Sequence, residues 1–190
     1  MTLGLAGQML AAILSAAVAT SPAWRPGALR GVVTGQRSMQ MAKRVFGPPT
    51  NNVIDGEDPS RRIVTFPPIS LTARRGGSEV EVRLGVELTL ERRTGRTLRV
   101  LLTPMDRLER SEVALLFPGP FEERRFEFCP CDGCESAYLH PDAEGQFLEL
   151  LAPSRGVVAH LAPEGDVVLN IEVLSEPPHE LLPDPCTDDP

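Results

Sequence analysis

Between Glu79 and Glu91 apolar and polar residues alternate without a break. Val80, Val82, Leu84, Val86, Leu88 and Leu90 take one side, and Glu79, Glu81, Arg83, Glu87, Thr89 and Glu91 take the other. A period of two puts successive side chains on opposite faces of a strand, so the pattern predicts one buried and one wetted face. Arg92-Arg93-Thr94-Gly95-Arg96 then turns the chain, and Thr97 to Leu102 is expected to return as an antiparallel partner. Upstream, Ile63 to Phe66 and Ile69 to Ala73 flank Pro67-Pro68 and read as two short or edge strands, since proline has no N–H to give to a ladder. Downstream, Val113 to Phe117 and Glu122 to Phe128 read as strands, and Gln146 to Leu151 as a strand or a helical turn. Gly156 to Leu161 and Asp166 to Leu174 flank the turn Ala162-Pro163-Glu164-Gly165 and predict a hairpin. His160 shares a strand face with Val158, where a hydrogen-bonded structural role is expected of it.

The first 46 residues follow a different period. Leu3, Leu10, Ile13, Leu14 and Ala17 form one stripe of a helix, with Gln8 and Ser15 away from it. The same stretch, Leu3 to Ala19, also fits a signal peptide ending at Ala17-Val18-Ala19, though no Lys or Arg precedes it, and a short membrane anchor. The soluble helix is the expectation. A break at Ser21 to Gly27 holds Trp24, expected in the core. A second helix is expected over Ala28 to Phe46, with Leu29, Val32, Val33, Met39 and Phe46 apolar, and Gly47 to Ser60 reads as a loop. The predicted fold is therefore α+β: N-terminal helices packed on a mainly antiparallel β-sheet of about six to eight strands. Three parts follow: a helical segment 1–46, a β domain 61–174, and an acidic, proline-rich tail 175–190.

With 190 residues, 42% of them hydrophobic, the chain can bury a core of its own. The net charge of −7 is uneven: from Gly156 onward there is no Lys or Arg, while eight residues are acidic. A nucleic-acid binder would carry a basic footprint, so nucleic acid is not an expected partner. Of the nineteen basic residues only Lys43 is lysine, a bias of the kind a G+C-rich genome produces. Asp106, Glu109, Arg110 and Glu112 read as a solvated turn rather than paired catalytic carboxylates.

One segment carries candidate chemistry. Three of the four cysteines, Cys129, Cys131 and Cys134, fall within six residues, separated by Pro130 and the turn Asp132-Gly133. Cys131-x-x-Cys134 has the spacing of a zinc knuckle, and thiolates are strong zinc ligands in tetrahedral sites. His140 is the nearest fourth donor; His160, Cys186, Asp132 and Glu135 remain candidates. Zinc is the expected metal, although C-x-C also occurs in copper and iron–sulfur sites.

The same stretch resembles a bacterial domain family of unknown function whose members carry C-G-C-D-x-C-D-E after a Thr- and Leu-rich β region. Cys129, Cys131, Asp132 and Cys134 match; Pro130 replaces the glycine, and Glu135-Ser136 stand where Asp-Glu is usual. The run from about Ile69 to Gly119 is similar in composition, and no activity comes with the resemblance.

Glycine-rich phosphate loops, H-E-x-x-H and G-x-S-x-G are not found in the sequence. The expectation is a cytoplasmic, non-enzymatic binding or interaction module with a protein partner and a structural zinc on Cys129, Cys131, Cys134 and His140. Membrane association is expected only if Leu3–Ala19 is an anchor. Two alternatives stand beside it: an exported protein with a disulfide in the knuckle, and a metal- or thiol-dependent enzyme using Cys131 or Cys134 with His140.

Overall fold

A computed structural model describes residues 23–128, 137–139 and 147–178. The order of elements is β1 (Ala28–Leu29), β2 (Val32–Val33), α1 (Met39–Phe46), β3 (Asn51–Ile54), β4 (Arg61–Arg75), β5 (Ser78–Glu91), β6 (Thr97–Pro104), α2 (Val113–Leu116), β7 (Glu122–Phe128), β8 (Ala137–Leu139), β9 (Phe147–Ala152), β10 (Val157–Leu161) and β11 (Val168–Leu174). Nine strands form one antiparallel sheet in the order β3-β4-β5-β6-β11-β10-β9-β7-β8, and β1 and β2 form a separate ribbon. The meander β3-β4-β5-β6 is joined to the half β11-β10-β9-β7-β8, in which β7 lies between β9 and β8, by the pairing of β6 with β11, where Leu102 faces Ile171 and Val100 faces Val173.

The alternation in β5 works as the pattern requires. Val82, Leu84, Val86, Leu88 and Leu90 are all buried, and Val86 and Leu88 pair across to Leu102 and Val100 on β6 and to Phe66 and Val64 on β4. The same face continues through Ile171, Val173, Val157, Ala159, Leu161, Leu148 and Leu150. Leu29 and Val32 of the ribbon, Ala42 and Phe46 of α1, and Leu108, Val113 and Phe117 complete this core. Phe46 meets Phe66 edge to face, with ring centroids 5.7 Å apart, so α1 is fixed to β4 through one aromatic pair.

Pro67-Pro68 does not divide β4. Phe66 pairs with Val86 and Ile69 with Leu84, so β4 spends one residue more than β5 between these pairs. That extra residue is a β-bulge, a place where a strand tolerates proline. It also changes the parity of the strand, which lets Val64 and Phe66 before it and Ile69 and Ala73 after it face the same core.

The α+β expectation with N-terminal helices packed on the sheet is overturned, for the described residues are mostly β. Over Ala28–Phe46 only Met39–Phe46 is helical. Arg30 (φ 48°) and Gly31 (φ 86°) take positive φ at the two central positions of a tight hairpin, which gives Leu29 and Val32 a ribbon in place of a helical turn. Val113–Leu116 is helical rather than extended, because Glu109 and Glu112 form a capping box immediately before it. Asn51–Ile54, inside the expected loop, pairs with Arg62–Thr65 as the edge strand β3. The segment Leu3–Ala19, most of the tail, and Cys186 lie outside the described residues. Among the described residues no helix is long and apolar enough to cross a membrane.

The N-terminal segment crosses one end of the sheet at very short range. Gly27 N–H donates to the Leu174 carbonyl at 3.0 Å and Arg25 N–H to the Pro153 carbonyl at 2.9 Å. Thr34 Oγ1 donates its single proton within reach of two acceptors, the Gly27 and Leu174 carbonyls at 3.0 and 2.9 Å.

Candidate functional site

Cys129, Cys131, Cys134 and His140 lie outside the described residues. The strands on either side of the knuckle are described: Phe128 of β7 pairs with Ala137 of β8, and Phe126 with Leu139. The eight residues 129–136 thus connect neighbouring strands of one antiparallel pair. Among the described residues, no group of three His, Cys, Asp or Glu side chains converges as a metal site.

The sheet's second face buries Leu151 and Val158 and carries charges that are organised across strands. His160 on β10 lies opposite Glu149 on β9, and their side chains meet, Nδ1 to Oε1, at 2.9 Å. Its Nε2 is 3.9 Å from Glu172 on β11, an ion-pair distance too long for a hydrogen bond, so Glu149 makes the principal contact. Glu172 also receives Arg99 of β6 at 3.0 Å, and Arg99 lies 3.8 Å from Glu87 of β5. Five strands therefore share one chain of alternating charge. Burial disfavours the charged imidazole, but the two carboxylates outweigh it and push the His160 pKa up to about 9. Burial likewise opposes ionisation of Glu172, while His160 and Arg99 hold its carboxyl below the usual range. A histidine protonated at neutral pH between two carboxylates is a poor general base and a poor metal ligand. His160 is the hydrogen-bonded structural residue that its strand position predicts.

At the Arg99 end the ladder opens into a cleft of about 460 Å³. Thr89, Arg99 and Glu172 lie at strand positions beneath it; Asp55, Glu57 and Arg61 border one side, and Ser175, Glu176, Pro177 and Pro178 the other. Arg99 is held by Glu172, and Arg61 is paired with Asp58 at 2.8 Å. Asp55, Glu57 and Glu176 have no ion-pair partner among the described residues. Thr89 is 4% exposed, and its buried hydroxyl has no hydrogen-bond partner there. Buried hydroxyls are ordinarily satisfied, and this one is an exception.

The carboxylates around residue 109 hold the structure together. Glu112 is buried and accepts two hydrogen bonds from Arg75 at 2.8 and 2.6 Å, and it also accepts the Glu109 N–H. The Arg75 guanidinium holds the Glu112 carboxyl below its usual range. Asp106 accepts a bidentate pair from Arg83, which lowers its pKa to about 2. The expected solvated turn is therefore an ion-paired clasp on the β4–β5 hairpin. Neither arrangement was legible from the sequence, because Arg75 and Arg83 lie 37 and 23 positions from their partners.

Comparison of the chain with protein-family models, curated proteins and solved structures finds no match.

Proposed function

We propose that the protein is a non-enzymatic interaction module that captures an extended segment of a protein partner on edge strand β3. One observation carries this reading. Asn51–Ile54 is exposed throughout, with Val53 44% and Ile54 55% accessible, and among the described residues β4 alone pairs with it. An open edge presents backbone donors and acceptors in a fixed row, and extended peptides add to such edges by main-chain pairing. Four residues without a charge, ending in two β-branched side chains, suit that role.

Cys129, Cys131, Cys134 and His140 are proposed as a structural metal site of the zinc type. Three thiols and an imidazole are a donor set that zinc favours in closed sites. The pairing of Phe128 with Ala137 supports this by holding the two ends of the 129–136 segment together. A metal that stabilises the protein through thiolates fits a reducing, cytoplasmic setting. The zinc would contribute stability and no chemical step.

Selection of random linear peptides on the immobilised full-length protein tests the interaction reading. Enrichment of β-forming sequences whose binding is lost in Val53→Pro is expected. Failure to enrich any sequence would overturn it.

A further inference from the structure

No acidic residue precedes Asp55 in the sequence, so the ribbon and helix that the N-terminal segment lays against the sheet carry cations alone. Arg30, Arg37, Lys43, Arg44 and Arg96 are exposed, and none has an ion-pair partner among the described residues. On the sheet, by contrast, Arg75, Arg83 and Arg99 are each paired. The unpaired cations form one strip. A Cβ on Gly31 would lie 3.8 Å from the Met41 side chain, so the ribbon turn that carries Arg30 rests beside α1. Arg37 directly precedes the N-cap Ser38, and Ala42 and Phe46 face inward while Met41, Lys43 and Arg44 stay exposed. Arg96 Nε donates to the Gly35 carbonyl at 3.1 Å, which brings the β5–β6 turn to the same loop. Cations in the last turn of α1 also suit the helix dipole, but Arg30, Arg37 and Arg96 lie outside that turn.

We propose that this strip is a docking site for an acidic extended segment, and that its occupant is the chain's own tail, residues 179–190. The proposal goes beyond capture at β3 and does not depend on it. The tail carries Glu180, Asp184, Asp188 and Asp189 and no Lys or Arg, so its charge is opposite to that of the strip. Its start is beside the strip, for a Cβ on Gly35 would lie 3.8 Å from the Ser175 Cβ. Across the cleft from Glu176 and Pro178 lie Asp55 and Glu57, like charges that turn an acidic segment away from that side. Length fits as well. Leu181 and Asp184 stand as far along the chain from Ser175 as Met41 and Arg44 stand from Gly35. The path to Arg44 is partly helix, at about 1.5 Å per residue, whereas an extended tail advances about 3.3 Å per residue and has length to spare. Met41, 37% exposed among the cations, offers apolar area to Leu181-Leu182. Single exposed ion pairs are weak, but a short tether holds the tail at an effective concentration on the order of millimolar, where several act together.

Lys43 is the only lysine, which makes the test direct. A carbodiimide joins an amine to a carboxyl in contact with it as an amide, taking up the expelled water as a urea. Full-length protein should yield a link from Lys43 to a tail carboxyl within one chain. Its yield should fall about fivefold or more in 0.5 M salt and in Arg37→Gln/Arg44→Gln, with Tm close to that of the parent. In a mixture of 14N- and 15N-labelled protein, tail links found only between chains would assign the strip to a second copy and overturn the proposal. A second measurement covers a Lys43 amine that stands out of reach. Neutralising the tail in the full chain, by Glu180→Gln, Asp184→Asn, Asp188→Asn and Asp189→Asn, should shift the NMR signals of Arg30, Arg37, Arg44 and Arg96. Shifts confined to the strip support the proposal with or without a link. Unchanged signals together with no tail link would overturn it.

Discussion

His160 Nδ1 stands 2.9 Å from Glu149 Oε1 across the register of β9 and β10, and this contact fixes the charge of the imidazole. With Glu172 on the other side, His160 titrates at about 9 against an ordinary value of 6.5. A group whose folded pKa is raised stabilises the fold fully below its unfolded pKa, and the contribution is lost as pH rises through the folded one. The loss therefore falls between 6.5 and about 9. Glu172 and Glu112 run the other way: their pKa values are lowered from 4.5, so their contribution is present above that value and lost as the solution is acidified. Denaturant unfolding should show greatest stability between about pH 5 and 6.5, with an alkaline decline on the order of 2 kcal/mol. His160→Gln should abolish the alkaline decline. An NMR titration giving His160 a pKa near 6.5 would contradict this account.

Gly27 and Gly156 mark a crossing with no room for a side chain. A Cβ on Gly27 would lie 2.7 Å from the carbonyl oxygens of both Arg155 and Gly156. Gly156 has φ +60°, and a Cβ there would lie 2.8 Å from the Gly27 Cα. Backbone atoms make up most of these contacts, so relief requires the segments to move apart. Gly27→Ala and Gly156→Ala should each cost about 2 kcal/mol in thermal or chemical unfolding. Gly56→Ala, where nothing lies within 4 Å, should change stability little.

The Arg75–Glu112 clasp is a pair in which one member is buried. Glu112 is 5% exposed, so removing Arg75 leaves a buried carboxylate with the Glu109 N–H as its remaining donor. Arg75→Ala should lower Tm by several degrees, and adding Glu112→Gln to it should recover part of the loss. If the double variant is no better than Arg75→Ala, the charge of Glu112 is not what destabilises it.

For the cysteine segment, protein purified from the cytoplasm without added metal should carry one zinc by native mass spectrometry and elemental analysis. Chelation and Cys134→Ser should each lower Tm. Metal-free protein containing a disulfide would contradict the structural-zinc proposal and favour export.

The sheet's centre was readable because six apolar residues alternate through Val80–Leu90, a signal that side-chain periodicity alone supplies. Its margins were not. Pro67-Pro68 resembles a strand break, but a bulge absorbs both prolines inside one 15-residue strand. Asn51–Ile54 has only two β-formers and lies among turn residues, so pairing with β4 decides its conformation. Ala28–Phe46 has enough apolar residues for a helix, yet the positive φ of Arg30 and Gly31 diverts its first half into a hairpin. Of the second face, the sequence suggested His160 as a structural residue but not its partners, since Glu149, Glu172 and Arg99 come together only through strand order.

Hydrogen exchange on the complex with a selected peptide tests the central claim most directly. Alternate amides of residues 51–54 point away from β4 to the open edge and should become strongly protected when the peptide binds. Protection confined to other strands, with residues 51–54 exchanging as fast as in the free protein, would contradict capture at β3.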